Sequence, residues 1–329
     1  QRSKRARVDR MLQGIRKKPP RIAVERARLM TESFRRTEGA PVVLRWALAF
    51  EHVLNNIEIT IGEDDLIVGR CGPPGRYGIL YPELRGAWLE TGLESFPSRK
   101  EGRFILTAED TRIVRKEIIP YWKGRTVFET NFNLLPQETR QVLYQKDDPY
   151  TPSYVIIDST TDRSSQQWVP DYHKVLKLGF NGIRMAAEEK ISMLDPYDSD
   201  HNFENLPFLK AVVIVCRAMV LYAKRYAELA RTLAENEPRQ ERKRELFELA
   251  AICAKVPGDP AESFREAIQS QWFTQVGFRF EQMHGGTVGN GRIDQYLFPY
   301  YQKDIAAGRI TDDDVLELLE LLWLNMAQN

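Results

Sequence analysis

Histidine, cysteine and net charge are all scarce in this chain of 329 residues. The four histidines are His52, His173, His201 and His284, and none stands at a metal-ligand spacing such as HExxH. Each is therefore read first as a hydrogen-bonded structural histidine. The three cysteines, Cys71, Cys216 and Cys253, form no CxxC pair, which excludes a zinc knuckle and a thioredoxin motif. A low, odd count suits a reducing compartment. Lys and Arg number 47 against 46 Asp and Glu, a net charge of +1. A dedicated nucleic-acid binder carries a basic surplus, so no nucleic-acid partner is expected.

Apolar runs are short. Ala211 to Val215 falls far below the length needed to span a bilayer. The N-terminal QRSKRARVDRMLQGIRKK has no apolar core of a signal peptide. The chain reads as soluble and cytoplasmic, with no membrane partner. Gln1 is not an initiator Met, and DVLELLELLWLNMAQN stops without Gly, Pro or a polar tail. Both ends point to a piece of a longer protein.

Common catalytic signatures are also missing. No Ser lies in GxSxG, and no Cys is followed two positions later by Glu. The Gly-rich GGTVGNG at 285–291 is followed by Arg292 and preceded by a helix, so it matches neither a P-loop nor a dinucleotide loop. It reads as a turn packed against another backbone. Cys216 and Cys253 fall on apolar helices and are expected in the core. Cys71 sits in a Gly/Pro loop with room for exposure, beside Arg70 and Arg76.

What is present is mostly helical periodicity. Residues 1–18 read as the solvated start of a helix. Ile22, Leu29 and Phe34 continue a helical pattern from Pro20, and Pro41 suits the first turn of the next helix. Ile57–Gly69 reads as short strands around a turn, and Arg70–Pro82 as loop. Thr107–Asp110 resembles a capping box leading toward Tyr121. Residues 145–169 are polar, with one apolar stretch from Tyr154 to Ile157. Pro170 suits a first helical turn, with a stripe of Tyr172, Val175, Leu176, Gly179, Ile183 and Ala187. Further helices are expected over 208–234 and 239–255, from Asp259 to about Met283, and from Thr311. Lys210, Arg217 and Lys224 argue against a membrane role for the first of these.

The best polar cluster is TTDRSSQQWVPDY at 160–172, where Arg163 and Gln167 stand four apart. A guanidinium beside an amide can hold a carboxylate, phosphate or sulfonate. Composition alone leaves them a surface Arg and Gln in a loop.

Several stretches together resemble the N-terminal part of the pyruvate formate-lyase-like glycyl radical enzymes. They are EDDLIVG at 63–69, VPDYHKVLKLGFNGI at 169–183, FREAIQSQWF at 264–273 and GNGRIDQYLFPYY at 289–301. The resemblance runs from about Pro20 to the end of the chain. It implies an α/β class: residues 1–329 as the N-terminal portion of one ten-stranded α/β barrel domain, mostly helical, with few strands and unable to close the barrel alone. The family's Cys-x-Glu and RVxGY motifs do not occur here. The resemblance thus implies no catalytic residue, no bound cofactor and no metal in this stretch, and no lyase activity from it alone. A glycyl radical elsewhere, installed by a radical SAM activating enzyme, and a homodimer are implied as well.

Within that family, DRSSQQWVPDY is similar to the isethionate sulfite-lyase branch, where an Arg and a Gln at this spacing hold the sulfonate. By that likeness Arg163 and Gln167 are the substrate-binding residues, and isethionate or a similar small anion is the substrate. QMHGGTVGNGR at 282–292 departs from the ESxGHSxSPGR pattern of the dehydratases, with Gly286 and Thr287 at the His and hydroxyl positions. Another glycyl radical lyase or dehydratase, acting on choline, a diol or another sulfonate, remains an alternative. So does a non-catalytic scaffold.

Overall fold

The computed structural model describes residues 2–86, 88–144, 167–281 and 287–328. Helix α1 (Arg2–Lys17) leads into a three-residue strand, β1 (Arg21–Ala23), and then α2 (Glu25–Arg36) and α3 (Val42–Asn56). A second strand, β2 (Tyr77–Ile79), pairs in parallel with β1, Ile22 opposite Gly78. The segment from α4 (Trp88–Gly92) to α6 (Ile119–Trp122), with α5 (Ala108–Ile113) between, forms short helical turns over this end. Thr107 and Asp110 close the expected capping box. Helices α7 (Val127–Leu134) and α8 (Gln137–Leu143) follow. Strand β3 (Gln167–Trp168) precedes α9 (Tyr172–Ser192), α10 (Leu206–Asn236), α11 (Gln240–Lys255) and α12 (Phe264–Glu281). Strand β4 (Thr287–Val288), α13 (Ile293–Ala306) and α14 (Asp312–Met326) complete the order.

Helix α10 organises the core because it is apolar on several faces. It packs against α3, α9 and α11. Ala218, Tyr222, Tyr226 and Ala230 are sealed from solvent on it. By length and composition the helical stretch His201–Asn236 is the one among the described residues that could cross a bilayer. Here part of its apolar surface packs on neighbouring helices, while Phe208 and Leu221 stay exposed. The small alanines let α10 and α3 approach closely, and the tyrosine rings of 222 and 226 meet edge-on at 5.2 Å, with Phe273 of α12 against both.

Five expectations are corrected. Residues 57–69 form no strand. Their backbone groups are taken up by side chains: Gly62 N–H donates to Asp65, and Arg242 donates to the carbonyls of Gly62 and Asp65. The β-branched residues there pack inward without a ladder. The strand lies instead at Tyr77–Ile79, inside the stretch read as loop, and β1 interrupts the helix expected from Pro20. The N-cap of α9 is Asp171, whose side chain accepts from Lys174 N–H, so Pro170 stands just outside. Helix α12 begins at Phe264 rather than at Asp259, with Ser263 Oγ accepting from Glu266 N–H. Residues 257–261 are occupied elsewhere. Pro257 and Gly258 carbonyls accept from Phe180 and Asn181, and Ala261 N–H reaches Leu176. Gly179 makes this possible with φ +65, where a Cβ would sit 2.2 Å from Gly258 O.

Candidate functional site

The parallel pair β3–β4 brings the two segments singled out in the sequence side by side, Gln167 opposite Thr287 and Trp168 opposite Val288. Gly289 N–H extends the pairing onto Trp168 O at 2.7 Å. Strands that run in parallel without a tight turn need a long crossover. Here that crossover is α9 to α12, so the helical core itself fixes the register of the pair.

Helix α12 clamps β4 with a polar stripe. Gln271 donates to Asn290 Oδ1 and to Gln275 Oε1, both at 3.2 Å. Gln275 donates to Val288 O at 3.2 Å. Both glutamines are 1% exposed. Buried amide donors paired in this way hold one backbone in one place. From the other side, Tyr172 donates to Gly289 O at 3.2 Å and Tyr296 to Asn290 O at 2.8 Å. The two tyrosine rings lie 5.3 Å apart. Burial raises the Tyr172 hydroxyl well above its ordinary range, with Gln271 and Arg279 opposing the shift. It is a neutral donor at any working pH.

The end of α12 is held by Arg26. Its guanidinium is sealed, pairs with Glu83 at 2.5 Å, and donates to the carbonyls of Phe280 and Glu281. A cation at a helix C-terminus opposes the negative end of the helix dipole. Arg26 thereby anchors the point where the chain leaves α12 toward β4.

Of the predicted site residues, Gln167 lies in β3 and Arg163 lies outside the described residues. His284, Gly285 and Gly286 lie outside them too, as does the apolar stretch 154–157. Thr287 is placed by its backbone pairing. The expected exposure of Cys71 is corrected: it is 1% exposed, its thiol donating to Val276 O. Burial pushes that thiol up to about 12, so Arg70 and Arg76 do not activate it. Arg70 pairs instead with Asp65 at 2.7 Å. Cys216 and Cys253 are core residues as expected. Sequence reasoning missed the stripe of Gln271, Gln275 and Arg279. Its signal was a polar residue every fourth position on a helix otherwise rich in aromatics. No group of His, Cys, Asp and Glu among the described residues could hold a metal ion.

A family model described as pyruvate formate lyase-like matches residues 3–329. The chain is 49% identical over 322 residues to an isethionate sulfite-lyase of Oleidesulfovibrio alaskensis, covering 98% of this chain and 39% of that protein. It is 44% identical over 323 residues to the isethionate sulfite-lyase of Bilophila wadsworthia, with the same coverage of 98% and 39%. Among solved structures, the glycerol-bound B12-independent glycerol dehydratase of Clostridium butyricum superposes with a TM-score of 0.91 at 34% identity, covering 98% of this chain and 40% of that one. The chain thus spans about two fifths of the length of the curated relatives it matches. The expected α/β class, the N-terminal part of a glycyl radical enzyme barrel and mostly helical, stands on these matches together with the two parallel strand pairs.

Proposed function

This chain belongs to the pyruvate formate lyase-like family, and from that membership we propose that it is the N-terminal portion of a radical isethionate sulfite-lyase. Residues 1–329 are one continuous portion of a single pyruvate formate-lyase-type domain in this reading. The overall reaction splits 2-hydroxyethanesulfonate into acetaldehyde and hydrogen sulfite, breaking the C–S bond with no external oxidant or reductant. The likeness at 44–49% identity to relatives of that name supports this substrate over the diols. A glycyl radical, installed by a radical SAM activating enzyme, would supply the cysteine thiyl radical that takes hydrogen from the hydroxyl-bearing carbon.

This chain's own part is to bind and orient. Arg163 and Gln167 take the sulfonate head. A sulfonate spreads one charge over three oxygens, and a guanidinium offers a planar fork of donors that stays charged. As sulfite leaves, negative charge concentrates on that head, so donors already in place favour the transition state over the ground state. Pairing of β3 with β4, clamped by Gln271 and Gln275, supports this role by fixing the backbone of Gln167.

The observation that carries the reading is Gln167 on a strand whose register is locked by buried amides. The test is product analysis of the full-length protein after radical installation. Stoichiometric sulfite and acetaldehyde from isethionate are expected. Turnover of glycerol or propane-1,2-diol with none of isethionate would replace the reading by a diol dehydratase. The homodimer and the cytoplasmic location belong to the same proposal.

A further inference from the structure

Arg279 is 7% exposed, yet among the described residues it has no acidic partner. Its Nε is buried with no hydrogen bond. Its guanidinium carbon lies 5.3 Å from the centre of the Trp272 ring, and its carbonyl accepts from the Tyr81 hydroxyl. A buried cation without a counter-charge is costly, so its retention asks for an anion. The other buried arginines here are satisfied: Arg26 by Glu83, Arg70 by Asp65, Arg242 by Glu245.

The placement points to the substrate side. Gln271 reaches Asn290 and Gln275 reaches Val288, so four residues along α12 correspond to two residues back along β4. The two rises agree, about 6 Å for four helical residues and about 6.6 Å for two in a strand. One more step along α12 carries position 279 toward the start of β4 at Thr287, whose partner is Gln167. The guanidinium's charge opposes the upward shift of Tyr172 at the head of α9 and of Tyr77 in β2.

We propose that Arg279, unpartnered among the described residues and buried on α12 toward the start of β4, is a second anion-binding residue, taking an oxyanion of the sulfonate class beside Gln167. This rests on the reading of a small anionic substrate, and deepens it. The same chemistry could come from a carboxylate of the polypeptide outside this chain, and the test separates the two.

Full-length protein without installed radical is titrated calorimetrically with isethionate, and separately with sodium sulfate against chloride at matched ionic strength. Melting temperatures are recorded without ligand. Arg279→Gln is expected to weaken isethionate and sulfate binding at least fivefold while leaving the ligand-free melting temperature unchanged or higher. Arg279→Lys is expected to keep the wild-type melting temperature and bind between the two. Binding changed by less than fivefold in Arg279→Gln overturns the proposal; a fall in ligand-free melting temperature beside it assigns the charge to a polypeptide carboxylate. Should wild-type protein bind sulfate but not isethionate, the substrate reading fails, and the sulfate arm still decides the role of Arg279.

Discussion

Gln269 bonds both backbone polar groups of Val68, accepting from its N–H at 2.9 Å and donating to its carbonyl at 2.7 Å. One side chain thus does for residue 68 what a neighbouring strand would do. Trp272 adds a bond to Gly69 O at 2.9 Å, and Asn325 one to Ile67 O at 3.3 Å. A stretch with strand composition is thereby pinned to α12 and α14 without joining a sheet.

The first prediction follows from that pair. Gln269→Leu fills similar volume but leaves a buried N–H and a buried carbonyl unpaired. Each such group costs about 1–3 kcal/mol. Urea unfolding of the full-length variant should show a loss of about 2–6 kcal/mol by the same rule. A midpoint within error of wild type would refute the pairing.

Gly179 supports a second prediction. Its φ of +65 breaks α9 where the backbone of residues 257–259 is stitched in. A Cβ there meets Gly258 O at 2.2 Å and the carbonyl carbon of Asp259 at 2.7 Å, both backbone atoms that no rotamer change can move. Gly179→Ala should lower the melting temperature sharply. Gly182→Ala, three positions on, meets only Leu178 Cβ at 3.2 Å and should be tolerated far better. Equal melting temperatures for the two variants would contradict the stitched break.

How far the sequence was legible depends on whether the deciding partner was local. Thr107 and Thr311 announce their helices because the cap and its acid lie within one turn. The boundaries of α10 and α11 follow from periodicity alone. Asp259 carried the same local signal and lost, because Gly179, far away in sequence, claimed that backbone for α9. The strands were illegible because each has two or three residues and its partner is distant in the chain. Cys71 looked exposed from its Gly/Pro loop, but Tyr77 and Val276 cover it. On the site side, the polar cluster before α9 is an expectation from residue types alone, and Arg163 within it lies outside the described residues. The buried Gln271, Gln275 and Arg279 were not legible, since polar residues on a helix read as its wet face.

Cys71 gives a third prediction. Burial lifts its thiol up to about 12, and Cys216 moves up to about 11. The raised folded values mean that the fold favours the neutral thiols. Their contribution to stability is complete below the unfolded value, near 8.5, and is lost as pH rises from there through 11 and 12. Native full-length protein at pH 8 should leave Cys71, Cys216 and Cys253 unlabelled by iodoacetamide, and unfolding in guanidinium should expose all three. Site-resolved mass spectrometry reads this directly. Rapid native labelling of Cys71 would overturn its placement.

The last prediction concerns Arg163 and Gln167. A bidentate guanidinium–sulfonate contact contains two charge-assisted hydrogen bonds, each worth roughly 1.5–3 kcal/mol. Arg163→Ala in the full-length protein should therefore lower kcat/KM for isethionate at least about 100-fold. Arg163→Lys should recover little, because an ammonium is a point charge and cannot reproduce the fork. Gln167→Ala removes one hydrogen bond to the same charged head and should cost less, on the order of 10-fold. Because the sulfonate gains charge as the C–S bond breaks, the loss at Arg163 should appear in kcat as well as in KM. The measurement is steady-state kinetics at equal glycyl-radical content, matched by electron paramagnetic resonance. Radical content must be matched because a variant that is activated poorly would mimic a binding defect. Near wild-type kcat/KM for Arg163→Ala at equal radical content would remove Arg163 from the head-group site. Arg279 would then be a further cation to test beside Gln167.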